Sequence, residues 1–201
     1  MRKSLGVVLA AAVIGAAVFA VAQGSQPVPW SLERPLAWSD YQGSPAPDDS
    51  PMIAARTHIL LNYRYQYVSS YDSSAKRFCA RVYVQALQVD CMIDPLGSWA
   101  RHDARTPRVL NHEQRHFDLA EVYARKIRDA IAAASAFGAT SEAAQEALKA
   151  QVQSIASGLA QRWHDTDASY DRETAGGTNE AAQQLWDQRI DSWLANPASA
   201  P

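Results

Sequence analysis

His112-Glu113-Gln114-Arg115-His116 is an H-E-x-x-H arrangement, two imidazoles four residues apart with a carboxylate beside the first. On a helix that spacing projects both rings from successive turns of one face. Neutral imidazoles placed so can reach one zinc ion at about 2.0–2.1 Å. Glu113 is offset from the two rings, better placed to take a proton from water than to bind metal. Zinc brings the pKa of bound water to about 7 and so supplies a nucleophile near neutral pH. The carboxylate passes the proton on to a leaving group. The chemistry expected of such a set is metal-assisted hydrolysis with Zn2+ as cofactor.

A helix must hold these groups, and its periodicity says where they point. With Leu110 at zero and about 100° per residue, Phe117, Glu113, Ala120, Ile127, His116, Tyr123, His112 and Leu119 share one half of the wheel. Asn111, Gln114, Arg115, Asp118, Glu121, Arg125, Lys126 and Asp129 take the other. The three motif residues therefore face the apolar side, where a polar group without a partner costs about 1–3 kcal/mol. A bound cation compensates them; a hydrogen-bonded His-Glu core cluster without an ion is the alternative. A catalytic zinc site needs a third protein ligand. Asp118 and Glu121 lie about 200° and 140° from His116, and read as solvent-facing or as supporting groups. The third ligand is expected from a polar loop, Asp165 to Gly177, which with His164 beside it offers His164, Asp165, Asp167, Asp171 and Glu173.

The elements around the motif read as α+β. Ala55 to Tyr67 and Phe78 to Ile93 are β-branched and aromatic, separated by a turn-like Ser69 to Ala75, and predict an antiparallel sheet. Thr106 followed by Pro107 is a helix start, with the first helix expected to reach about Ala136 and stop at Gly138. Ser141 opens a second helix ending near His164. Thr178 caps a third through Trp186 and Trp193, before Pro197. Residues 23–54 form an irregular entry segment pinned by Trp30, Trp38 and Tyr41, and residues 55–195 the domain proper.

Residues 1–22 join Arg2 and Lys3 to an uncharged run with Ala20 and Ala22 at its end, the plan of a secretory signal. The run from Leu5 also reaches the lower length limit of a spanning helix, so an uncleaved anchor is the other reading. Export implies a periplasmic or secreted protein. Without that segment the charge balance is 17 basic against 21 acidic residues, which speaks against nucleic acid as a partner and leaves little to attract an anionic membrane. Composition likewise excludes collagen, coiled coil, polytopic membrane protein and disulfide-dense miniprotein. Cys79 and Cys91 are the only cysteines, and an oxidising compartment permits a bridge. One continuous strand between them spans about 40 Å against a limit of about 7 Å, so a bridge requires a fold-back near Gln85.

Several blocks together resemble an uncharacterised bacterial family of secreted or periplasmic zinc-dependent proteases, the domain of unknown function 922 family. They are Leu36-Ala37-Trp38-Ser39-Asp40-Tyr41, Ser98-Trp99, the motif with Phe117-Asp118, and Tyr170-Asp171-Arg172-Glu173-Thr174 with Gln183 and Trp186. The resemblance implies a zincin-like metallopeptidase acting on proteins or peptides, with Glu113 as general base and His112 and His116 as ligands. Family members carry His-Gly after the distal Thr, whereas this chain has Ala175-Gly176-Gly177, with Gly176 in the place of that His. Asp171 or Glu173 is then the substitute ligand, or the site binds metal weakly. A degenerate binding or interaction module that keeps the H-E-x-x-H scaffold is the competing outcome. Tyr170 reads as an oxyanion holder or as packing.

Overall fold

The computed structural model describes residues 26–47 and 49–201; the expected signal segment lies outside them. The architecture is α+β. Its strands are β1 (Val28–Pro29), β2 (Ala55–Arg56), β3 (Ile59–Asp72), β4 (Arg77–Ile93), β5 (Trp99–Ala100) and β6 (Ser135–Gly138). Its helices are α1 (Pro107–Ala132), α2 (Ser141–Thr174) and α3 (Glu180–Ala195). One sheet has the order β1-β4-β3 with β6 also on β4, and β2 pairs β5 in a second. β1 with β4, β4 with β6 and β2 with β5 pair antiparallel. No helix of the described residues is long and apolar enough to cross a membrane.

The chain divides into two compact units. One comprises Tyr63–Val89 and Ile127–Leu159. Within it the alternation of β3 puts Tyr63, Tyr65 and Tyr67 on one face, with successive ring centroids 6.4 Å apart. The Tyr63 and Tyr67 hydroxyls donate to Gln153 and Gln145 of α2. The first helix stops earlier than its alanines suggest. Ser135 to Gly138 leave it to pair with Phe78 to Arg81, because Ala tolerates a strand when a partner edge is present. A Cβ on Gly138 would stand 2.3 Å from the Ala144 backbone nitrogen, so glycine here permits the close approach of β6 to α2 rather than marking a helix end. Cys79 and Cys91 both lie in β4, and no bridge joins them. The strand is continuous through Gln85, without the fold-back a disulfide needs.

The other unit comprises the described residues up to Asn62, Asp90–Lys126 and Ala160–Pro201, and holds the motif. Thr106 caps α1 as expected, its hydroxyl 3.3 Å from the Val109 nitrogen. Every residue from Phe117 to Ala124 is buried, the mark of a helix enclosed on all sides. The helical wheel leaves Asp118 and Glu121 in the polar half, yet they are 5% and 8% exposed. The cover is the entry segment. Trp30 Nε1 donates to Asp118 Oδ1 at 2.9 Å, the Leu36 nitrogen to Gln114 Oε1 at 2.7 Å, and the Arg125 guanidinium sits 5.0 Å from the Trp30 ring centroid. Asp118 also accepts from Gln114 and Arg115, while Glu121 accepts from Arg125. Asp118→Ala leaves the Trp30 indole and the Gln114 amide without their acceptor, while Arg115 Nη1 keeps Asp191. A loss of about 1–3 kcal/mol in denaturant unfolding is expected.

Asp165 to Thr174 are helical, not a loop. α2 continues through them because Trp163, Thr166, Tyr170 and Thr174 recur every three or four residues and are all buried. The third helix begins at Glu180, and Asn179 rather than Thr178 caps it, accepting from the Ala182 nitrogen.

Candidate metal centre

α1 supplies His112, Glu113 and His116; the last turns of α2 supply Asp167 and Asp171. His112 and Glu113 are each 5% exposed, and Tyr170 forms their wall. Its ring stacks on His112 at 4.8 Å and meets His116 edge-on at the same distance. The Tyr170 hydroxyl donates to the His112 carbonyl oxygen and lies against Gln183. Tyr170 is therefore fully committed to packing and to this network, and burial pushes its phenol far above the ordinary range.

Three atoms converge. His112 Nε2 is 3.0 Å from Asp171 Oδ1, His116 Nε2 is 3.2 Å from the same oxygen, and the two Nε2 atoms are 3.2 Å apart. The far nitrogen of each ring is held by an acceptor: His116 Nδ1 by Asp167 Oδ1 at 2.6 Å, His112 Nδ1 by Gln183 Oε1 at 3.1 Å. Each Nδ1 thus carries the proton in the neutral ring, and each Nε2 turns a lone pair toward Asp171. One shared proton bridges only two of three mutually adjacent acceptors. A divalent cation satisfies all three, and two imidazoles with one carboxylate make a donor set suited to zinc with an open position. The residues present fit the ion.

Without an ion the same atoms are held together by ring protons, which a cation has to displace. Burial would raise the Asp171 carboxyl, but the hydrogen bonds from His112 and His116 outweigh it and hold the group far below the usual carboxylate range. Burial would lower His116, and the bonds to Asp167 and Asp171 with the charge of Glu113 outweigh it in turn, holding the ring well above its ordinary value. Glu173 is not brought to the group. Its Oε2 accepts from Trp186 Nε1 at 2.9 Å and stands 3.6 Å from Arg189, because two residues along a helix from Asp171 point to a different side.

Glu113 is held by residues that no motif indicates. Thr57 Oγ1 donates to Glu113 Oε2 at 2.5 Å, and Tyr41 Oη lies 2.8 Å from the Thr57 hydroxyl. With the Thr57 proton committed to the carboxylate, Tyr41 is the donor in that second bond. Burial and the charge of Glu113 raise the Tyr41 phenol, which keeps it protonated for the purpose. No sequence signal marks Thr57, which sits between two strands. Asp167 and Asp171 had one, a four-residue spacing equal to that of the two histidines.

α2 ends in three residues of positive φ: Ala175, Gly176 and Gly177, at 49°, 60° and 76°. A Cβ on Gly177 would stand 2.9 Å from His112 Cβ and Cγ, so this backbone is the floor beneath the ring. Gly177→Ala adds a left-handed penalty of about 1–2 kcal/mol and displaces the imidazole. Lower stability in denaturant unfolding together with weaker zinc uptake in a chelator competition is the expected result.

No curated protein and no solved structure matches the chain. Residues 94–177, which carry α1, Asp167, Asp171 and the glycine turn, match the model of a family described as "Bacterial protein of unknown function (DUF922)", and over that stretch the resemblance read from the motifs holds.

Proposed function

We propose that this chain is an exported, zinc-dependent metallopeptidase of zincin-like type, acting on protein or peptide substrates outside the cytosol. The observation that carries the reading is the convergence of His112 Nε2, His116 Nε2 and Asp171 Oδ1 within 3.0–3.2 Å, one residue along α1 from a buried carboxylate. When bound, zinc supplies Lewis-acid polarisation of a carbonyl and a water acidic enough to react near neutral pH. His112, His116 and Asp171 hold the ion. Thr57 fixes Oε2 of Glu113, which leaves Oε1 to accept a proton from water and return it to the leaving nitrogen. Tyr170, buried against both rings, keeps bulk water from the closed side of the histidines. The side chain of Asp171 is 55% exposed, so the group is open to solvent on the side that this residue occupies.

Peptide as substrate rests on the family resemblance, as does the zincin-like assignment; the donor set supports hydrolysis in general. Gly176, standing where the family has His, favours a second reading, a binding module that keeps the scaffold without turnover. Elemental analysis of protein purified without added metal separates them. About one zinc per chain is expected, with cleavage of an unstructured protein such as casein that stops on adding a chelator. Absence of metal, with folding indifferent to the chelator, sinks the enzyme and leaves the module.

A further inference from the structure

Gln183 and Asp187 lie one turn apart on α3, and the polarity of their bonds leads toward His112. Asp187 Oδ1 is 2.8 Å from Gln183 Nε2, and Arg115 Nε and Asn111 Nδ2 donate to the same carboxylate. An ionised carboxylate only accepts, so the Gln183 nitrogen is committed to that side, where it also meets the Tyr170 hydroxyl at 2.8 Å. Gln183 then presents its oxygen to the imidazole, 3.1 Å from His112 Nδ1. That oxygen brings no proton, so the ring supplies one from Nδ1, and the Nε2 lone pair is left toward His116 and Asp171.

A glutamine alone does not select this tautomer. Turned by half a rotation, it would offer its NH2 to Nδ1, place the proton on Nε2 and block the ligand position. In that orientation its oxygen would stand 2.8 Å from the Asp187 carboxylate, acceptor against acceptor. Asp187 is the group that removes the symmetry of the amide.

We propose that Gln183 and Asp187 are positioning residues that fix the His112 tautomer, extending cation recognition from the ligands on α1 and α2 to α3. This deepens the metal reading above and rests on it. Groups that orient a ligand imidazole change metal affinity by about 10–100-fold when lost.

The test uses three variants of the full chain. Asp187→Asn and Gln183→Met should each weaken zinc binding by about 10–100-fold in a chelator competition. In the metal-free protein at alkaline pH, the imidazole 15N shifts should report a proton on Nδ1 of His112 in the wild type and its partial transfer to Nε2 in Asp187→Asn. The double variant Gln183→Glu with Asp187→Asn reverses donor and acceptor between the two positions: the amide introduced at position 187 donates, and the carboxylate introduced at position 183 accepts from Nδ1. It should restore tautomer and affinity together, which a merely structural role for either residue does not predict. Gln183→Met adds no charge and stands in if Asp187→Asn fails to fold. A wild-type proton on Nε2, an unchanged tautomer in Asp187→Asn, or a double variant no better than the single one overturns the proposal. Wild type that takes up no zinc yet shows the expected tautomer pattern removes the metalloenzyme reading alone, and the positioning role stands.

Discussion

Glu113→Gln should lower peptide hydrolysis by about 10²–10⁴-fold while zinc binding persists. The side chain is 5% exposed and is not one of the three converging donors, so an amide of the same shape leaves His112, His116 and Asp171 in place. The Thr57 hydroxyl keeps an oxygen to bond, since the amide carbonyl accepts as the carboxylate did. What disappears is the capacity to take a proton from water. Steady-state rates on an unstructured substrate and elemental analysis of the same preparation check both halves. Turnover that survives the change discards Glu113 as general base. Zinc lost along with turnover would make Glu113 part of the ion's support instead.

Asp171→Ala should weaken zinc binding by more than the roughly 100-fold upper range typical of groups that only orient a ligand, because it deletes one of three protein donors and the one formal negative charge among them. Glu173→Ala supplies the comparison. Glu173 bonds the Trp186 indole and stands near Arg189, so its loss should cost stability on the order of 1 kcal/mol and leave zinc affinity as it was. The two residues lie in the same polar stretch, and chelator competition on the pair decides which of them reaches the ion. Equal losses would mean that the last turn of α2 unwinds to let both bind.

The orientation of the motif is readable because helical periodicity and chemistry coincide. A wheel that buries Phe117, Ala120 and Ile127 also buries His112 and Glu113, and it does so whatever packs against it. Burial of Asp118 is not readable. It depends on Trp30 and Leu36, some eighty residues earlier in the chain, and nothing local to α1 announces a cover. The end of α2 misleads for another reason. Asp, Thr, Ser, Arg and Glu from Asp165 to Thr174 have the composition of a loop, yet Thr166, Tyr170 and Thr174 keep the helical repeat on the buried side. Reading that repeat ahead of polarity places Asp167 and Asp171 one turn apart. The strand Ser135–Gly138 stays hidden because Ala and Ser carry almost no preference and the partner edge of β4 decides. Thr57 and Asp187 leave no local trace, since each acts through a residue distant in sequence.

The glycine turn after α2 also bears on how such a centre can change over generations. A side chain added at Gly176 would find nothing within 4 Å of its first carbon. The backbone there, at φ 60°, is a conformation in which Asn, Asp and His are enriched among non-glycine residues. The imidazole implied there by the family resemblance is therefore compatible with this scaffold, at a strain of about 1–2 kcal/mol and without disturbing any helix. A side chain at position 176 is thus a change this backbone admits, whereas its neighbour Gly177, pressed against His112, has no such freedom.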